Sequence, residues 1–534
     1  MSVPEQFKSS AAAIVGADNV LFGDDFPQPP TTSPRVRSLA GRVCPGSSSE
    51  VAAILKLATA EGVAVYPVST GRNWGYGDAI PPRDGAILLD LGRMNRIRAV
   101  DEQLAYAVIE PGVTQGALYD HLRERGLKLW LDCTGAGPDG GIIGNVLERG
   151  FGHTPYGDRF LAVAGLEIAL PTGEILKTGF GRYDNSTVTH LYPYGVGPVL
   201  DGLFSQSGMG VVTSLGLWLM PEPEYFCAAV VMVKDSAAIA PLIERLRPLR
   251  LDGTLKSIVH IGNDMRLIGG RQRYPYEALG GLTPLPEDVR ADLRRQYGIA
   301  AWSLTAGFYG SRSQVKAGVK RLRQALQGLP AKVMVVDERL LALGRRASGM
   351  LPQAGMGERL RRMVGEGEEA IGLLRGKPTR HFLAGAYWRN RRASTGPSFG
   401  HDPAADGCGL LWLAPVIPMT GDHAARLVAL AELILRDYGF ECPLTFSMVT
   451  ARALAAIMTI CFDRDNEEEA AAAAACYEAA TKAFIAAGYP PYRLASQFMS
   501  SAVQDPADPY WQTVSRLKAA LDPAGILAPG RYQP

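Results

Sequence analysis

Apolar residues recur at helical spacing over residues 47–61, where Val51, Ile54, Leu55 and Ala58 share one face. Ser47 and Glu50 stand ahead of that stripe as a capping box, and Gly62 marks its end. The unbroken apolar run 63–68 predicts a buried strand, and further strands are predicted over 86–91 and 106–110. A helix follows from about Thr114 to Arg125, closed by Gly126, and residues 202–221 read as a loop feeding a strand. Beyond Pro223 the pattern changes to a strand over 226–233, helices over 236–247 and 313–328, and an irregular Arg-rich stretch over 340–405. Asp465–Ala475 opens acidic and runs into six alanines, which suits the macrodipole of a solvent-facing helix start. This is α+β texture without a regular βαβ alternation. It divides the chain into 1–222, a middle unit 223–488, and a segment 489–534 that returns to the Gly/Pro-rich texture of the first.

A chain of 534 residues exceeds one compact core, so two domains are expected. With 47% apolar and 20% charged residues it has the make-up of a globular enzyme. A net charge of +2 gives no surface that would track phosphates, which argues against a nucleic-acid partner. The seven Cys form no CxxC and suggest reduced thiols, and the seven His show no HExxH-like spacing, so no metal site is expected. The opening MSVPEQFKSS lacks a basic region followed by an apolar run, and no apolar window reaches the ~20 residues that span a bilayer. The expectation is a cytoplasmic protein outside the membrane, with the periplasm left open, and a homo-oligomer.

The chemistry concentrates in Thr70-Gly-Arg-Asn-Trp-Gly-Tyr-Gly77, directly after a predicted strand. A dinucleotide pyrophosphate needs several backbone N–H groups converging on it, and glycine lets the backbone approach closely. The spacing is neither GxGxxG nor GxxxxGK[ST], which weakens nicotinamide and P-loop readings. Alone, the loop reads equally well as a tight structural turn. Its company favours the cofactor: Glu110-Pro-Gly-Val-Thr114, Gly144-Asn-Val-Leu-Glu-Arg-Gly150 and Thr154-Pro-Tyr-Gly-Asp158.

With these motifs in this order, the chain resembles the vanillyl-alcohol oxidase/p-cresol methylhydroxylase family of flavoproteins. The resemblance is densest over 67–221 and returns at Gly488-Tyr-Pro-Pro-Tyr-Arg493 and Leu521-Asp-Pro-Ala-Gly-Ile-Leu-Ala-Pro-Gly-Arg531. It implies a two-domain FAD-binding fold, with 1–222 and 489–534 forming the FAD domain and 223–488 a cap over the isoalloxazine ring. It implies that Ser69, Thr70, Gly71, Arg72, Asn73, Trp74, Gly75 and Gly77 bind the cofactor. Glu110, Pro111, Gly112, Gly144, Asn145, Arg149, Gly150, Gly157, Gly210, Val211 and Val212 are implied to assist.

The family removes a hydride from the benzylic or allylic carbon of 4-substituted phenols, leaving a quinone methide that water attacks or that rearranges. Both the phenolate and the charge taken up by the flavin call for fixed cations and hydroxyl donors. Tyr76 matches the family tyrosine at the phenolic oxygen, and Tyr492 and Arg493 match its Tyr-Arg pair. Arg531 matches a cation beside the active site. Against each stands a bland reading as a packed aromatic or a surface arginine.

The chain departs from the family pattern in places. An aspartate poised near flavin N5 in some members corresponds to Ala136. Asp139 lies nearby, either as a substitute or, as favoured, a turn residue. Members that attach the flavin covalently use a His, here Leu410, or a Tyr, for which Tyr387 in Ala386-Tyr-Trp-Arg389 is the candidate tether; otherwise Tyr387 simply packs. His381 and Cys408 are weaker candidates. A cap His-His corresponds to Ala455-Ala456, and a further cap position reads Thr445, implying a roomier, more apolar pocket suited to a larger phenol.

Electrons would pass to oxygen, or to a separate cytochrome or copper protein, since the chain has no CxxCH. A hydroxy-acid or lactone dehydrogenase and a flavoprotein with a decayed site are the competing readings.

Overall fold

The structure, a computed structural model, describes residues 3–350, 355–392 and 400–533. Near the N-terminus, β1 (Val20–Phe22), β2 (Leu39–Val43), β3 (Val65–Val68) and β4 (Ala86–Asp90) form a sheet in the order β1-β2-β4-β3. β2 and β3 both run parallel to β4, so the chain must cross over between them, and α1 (Ser48–Glu61) is that crossover. Ser47 caps α1 by accepting from the Glu50 amide at 3.2 Å. The Glu50 carboxylate turns instead to the Gly46 amide (2.8 Å), so the capping box is only half made.

A second, antiparallel sheet contains β5 (Ile97–Asp101), β6 (Tyr106–Ile109), β7 (Val163–Ala169), β8 (Ile175–Lys177) and β9 (Val211–Trp218), ordered β5-β6-β9-β7-β8. α2 (Gln115–Glu124), capped by Thr114, and α3 (Ile142–Leu147) cover it through Leu118, Leu122, Ile142 and Val146. Residues from far along the chain complete the first sheet. The Val65 amide donates to Ile526 O and the Ala528 amide to Val65 O, both at 2.8 Å.

The middle of the chain builds an eight-stranded sheet. Its strands are β10 (Tyr225–Val233), β11 (His260–Asn263), β12 (Trp302–Gly310), β13 (Ala331–Val336), β14 (Cys408–Leu413), β15 (Val416–Pro418), β16 (Leu444–Ser447) and β17 (Ala453–Asp463). The order is β13-β10-β12-β11-β16-β17-β14, with β15 also on β17. Strand alternation gives this sheet two different faces. One carries Ala229, Val231, Leu304, Phe446, Ala456, Met458 and Ile460 into a large apolar core. Helices α4 (Ile239–Leu251), α6 (Arg312–Ala325), α9 (Gly421–Asp437) and α10 (Glu467–Ala486) close that core, with α5 (Asp264–Gly269), α7 (Glu338–Met350) and α8 (Met356–Leu374) lying elsewhere in the unit. The opposite face carries His260, Ser447, Ala455, Ile457, Cys461, Leu410 and Trp412 toward the other half of the molecule.

Residues 340–405, expected to be irregular, instead hold α7 and α8 over much of their length, with 351–354 and 393–399 outside the described residues. Leu360, Val364, Ile371 and Leu374 keep helical spacing, but Gly357, Gly365, Gly367 and Gly372 dilute it. Packing of Ile371, Leu373 and Leu374 overrides that weak propensity.

Candidate active site

The loop after β3 folds against residues 141–144. The Ser69 hydroxyl donates to Pro111 O, and Thr70 Oγ1 accepts from the Gly141 amide at 3.1 Å. Glycine is required where the chain is tightest: a Cβ on Gly141 would stand 2.4 Å from Ser69 Oγ, and one on Gly75 would stand 1.7 Å from the Trp412 ring. Arg72 pairs with Asp402, and Trp74 Nε1 donates to the same carboxylate at 3.1 Å, which ties the loop to the middle unit. Asn73 accepts from Arg493.

The other motif residues act mainly by shaping the backbone. The Gly112 amide donates to Met94 O at 2.7 Å. The Glu110 carboxylate is wholly buried against Arg96 (2.8 Å) and Arg98 (3.0 Å). Asn145 accepts from Arg159 at 3.0 Å beside Gly144 and under Gly150, and Arg149 donates to Ser205 at 2.9 Å. Gly157 closes a turn on Thr154 at 3.0 Å. Gly210 packs on Phe204 and Ile168, leading into buried Val211 and Val212.

Tyr76, Tyr492 and Arg493 meet. The segment 492–497 threads past the loop, with the Ser496 amide donating to Tyr76 O at 2.9 Å. The Arg493 guanidinium lies over the Tyr76 ring, 4.1 Å from its centroid. Burial raises both tyrosine hydroxyls above their ordinary pKa, Tyr76 far above, so both stay protonated donors at neutral pH. Arg531 joins through a residue the sequence reading passed over. Glu148 ion-pairs with Arg493 at 3.1 Å and also with Arg531, and it accepts from Tyr532. Its only sequence signal is a carboxylate enclosed by the glycines of Gly144–Gly150 in an otherwise tight motif. Two cations against one carboxylate leave this corner positive.

Across from these groups stand Phe151, His153 and His260. Phe151 approaches Tyr492 (5.8 Å between ring centroids) and stacks on His260 (6.0 Å). His153 and His260 lie 4.1 Å apart. His260 uses both nitrogens, on Ser447 Oγ (2.9 Å) and Gly152 O (3.0 Å). Burial pushes its pKa down to about 4 and that of His153 well below the usual histidine value. The 151–158 loop is fixed from beneath by Asp132. That carboxylate takes the His153 and Thr154 amides (3.0 and 2.9 Å) and pairs with buried Arg159 at 2.9 Å.

Asp139 forms a half-exposed ion pair with Arg380 (2.8 Å), as a turn residue would. Of the two cap alanines only Ala455 faces this region; Ala456, one step along the strand, points into the opposite core. Tyr387 is buried, and its hydroxyl donates to Asp406 at 2.5 Å. Leu410 is buried on β14 in the same apolar cluster as Trp74.

A family model described as an FAD binding domain matches residues 39–179. The chain is 38% identical to 1'-carboxy-chondrochloren decarboxylase of Chondromyces crocatus, over 92% of this chain and 90% of that protein. It is 30% identical to the 4-cresol dehydrogenase [hydroxylating] flavoprotein subunit of Pseudomonas putida, over 97% of this chain and 93% of that protein. The solved structure of 4-ethylphenol oxidase from Gulosibacter chungangensis, in its isoeugenol complex, superposes with a TM-score of 0.86 at 27% identity, covering 99% of this chain and 96% of that one. The chain belongs to the vanillyl-alcohol oxidase/p-cresol methylhydroxylase family of two-domain FAD-dependent oxidoreductases. It binds FAD, and the residues present suit that cofactor. The 69–77 and 141–144 backbones approach each other where only glycine fits, and the Arg493/Arg531 corner carries net positive charge. No helix among the described residues is long and apolar enough to cross a membrane.

Proposed function

We propose that this protein oxidises 4-substituted phenols at the side-chain carbon attached to the ring. The observation that carries the reading is the meeting of Tyr76, Tyr492 and Arg493. Two protonated hydroxyls and a permanent cation at one point suit a phenolate oxygen. Ring electrons then support departure of a hydride from the para carbon, and FAD supplies the hydride acceptor. Phe151 and Trp412 exclude water from the ring, and Arg531 with Glu148 holds Arg493 in place. The remaining assignments belong to the same reading: 1–222 with 489–534 as FAD domain, 223–488 as cap, the loop residues on the pyrophosphate, and Tyr387 as tether. So do a homo-oligomeric cytoplasmic enzyme and electron transfer to oxygen or a separate protein. Anaerobic addition of 4-propylphenol or 3-(4-hydroxyphenyl)propanoate to the purified holoenzyme should bleach the flavin; a spectrum unchanged by both would overturn the reading.

A second reading concerns the fate of the quinone methide. The 38% identity to a decarboxylase and Ala136 in place of an acid both favour it. Where the next carbon bears a carboxylate, its C–C bond can break. The electron pair forms a side-chain double bond, the ring regains its phenolate and carbon dioxide leaves. This needs neither a base nor an activated water. Carbon dioxide released in equal amount to substrate consumed is the expected result.

A further inference from the structure

Among the described residues, a partly buried cation of the middle unit, Arg266, stands without a carboxylate partner. Arg266 sits on α5, just after β11, and its side-chain stem and the Thr445 hydroxyl flank Gly262. Its guanidinium reaches Gly385, where a Cβ would stand 2.3 Å from Nη1, so a side chain there would displace it. The nearby carboxylates are engaged elsewhere: Asp264 with Arg290 and Arg294, and Glu441 with Arg389. Among the described residues, the Arg266 guanidinium has no hydrogen bond or ion pair. This contrasts with Arg159, Arg389 and Arg493, each buried against a carboxylate. Arg266 is partly buried, and for a guanidinium held without a counter-charge a planar carboxylate is the ligand its fork fits.

The position fits the far end of a phenolic substrate. From Tyr492 the wall runs through Phe151 to His260. Gly262 is two residues farther along β11, roughly 7 Å, on the same face as His260. Arg266, which flanks Gly262, therefore lies past His260 as counted along this wall from Tyr492.

We propose that Arg266 recognises a carboxylate on the substrate's para side chain, making the enzyme selective for acidic 4-hydroxyphenyl compounds, whether or not that carboxylate is later lost. This rests on the phenol reading given above. His260 borders the subsite as a neutral hydrogen-bonded ring and adds no competing negative charge. Burial pushes the pKa of Arg266 down from its ordinary value, with Cys461 opposing, and no carboxylate contributes to holding it up.

The test compares a matched pair, 3-(4-hydroxyphenyl)propanoate and 4-propylphenol. Anaerobic bleaching rates of the holoenzyme give an efficiency ratio, and calorimetry on the dithionite-reduced holoenzyme gives a binding ratio free of turnover. Arg266→Met should lower the propanoate-to-propylphenol ratio roughly 30-fold or more in both measurements. Gly385→Ala should shift it the same way, and Arg266→Lys should restore part of it. FAD content and melting temperature report whether each variant is folded; if Arg266→Met fails to fold, Gly385→Ala and the calorimetric preference of the unaltered enzyme decide. An unchanged ratio, or wild-type preference for 4-propylphenol, overturns the carboxylate subsite while leaving the phenol reading intact. Bleaching by neither probe overturns both.

Discussion

The arginines of the FAD-side corner and the lone arginine of the cap face are built on opposite plans. Arg493 and Arg531 share Glu148, which also takes the Tyr532 hydroxyl, so their geometry is fixed by the protein itself. Arg266 is set in a glycine-lined position with its charge unanswered. A cation that must stabilise charge developing during the reaction gains from being held beforehand. A cation that selects a ligand gains from being answered only when that ligand arrives.

The largest expected effect probes the shared carboxylate. Glu148→Gln leaves two arginines facing each other, and denaturant unfolding of the holoenzyme should show a loss of about 3–5 kcal/mol. A loss below about 1 kcal/mol would mean that this corner is not pre-balanced at all. Next, Tyr492→Phe should slow anaerobic bleaching by 4-propylphenol about 10²–10³-fold, because one donor to the phenolate is gone. Stopped-flow absorbance checks this, and a change within a factor of two would place the phenolic oxygen elsewhere.

The third effect concerns acid. His260 titrates at about 4 in the fold and near 6.5 when unfolded. As pH falls through that window the unfolded chain takes up the proton first. Stability is therefore complete above 6.5 and falls toward 4, by on the order of 3 kcal/mol for this group. His260→Gln should flatten that acid limb in denaturant titrations, leaving the shares due to His153, His190 and His121. The smallest effect is scaffold alone. Asn466 caps α10 by accepting from the Glu469 amide at 3.0 Å. Asn466→Ala should cost about 1 kcal/mol with no change in the bleaching rate, separating cap-domain stability from the site.

The FAD side was legible in the sequence because its function needs consecutive residues. The loop at 69–77 with Tyr76, and the Tyr492-Arg493 pair, are contiguous motifs whose spacing survives as geometry. The strands over 86–91 and 106–110 and the helix ended by Gly62 were readable from period and stop signals for the same local reason. What escaped is assembled across the chain. Glu148 acquires meaning only when residues 493 and 531 arrive beside it, and His153 meets His260 only through the contact of two units. Arg266 reads as an ordinary helical arginine until the absence of a partner is seen. α7 and α8 were hidden by glycines that packing tolerates. Ala455 and Ala456 look alike in sequence, yet strand alternation sends them to opposite sides of the sheet.

The residues that border β3 have a consequence for the order of biosynthesis. Tyr66 touches Arg531, 465 positions later, and Val65 is bonded to Ile526 and Ala528. While the chain is still emerging from the ribosome, its first sheet has an open edge and Glu148 lacks both of its arginines. The nascent protein can fold its early strands but cannot balance Glu148 until residues 493 and 531 have been made. The corner around Glu148 therefore closes only after the intervening residues 223–488 have been made.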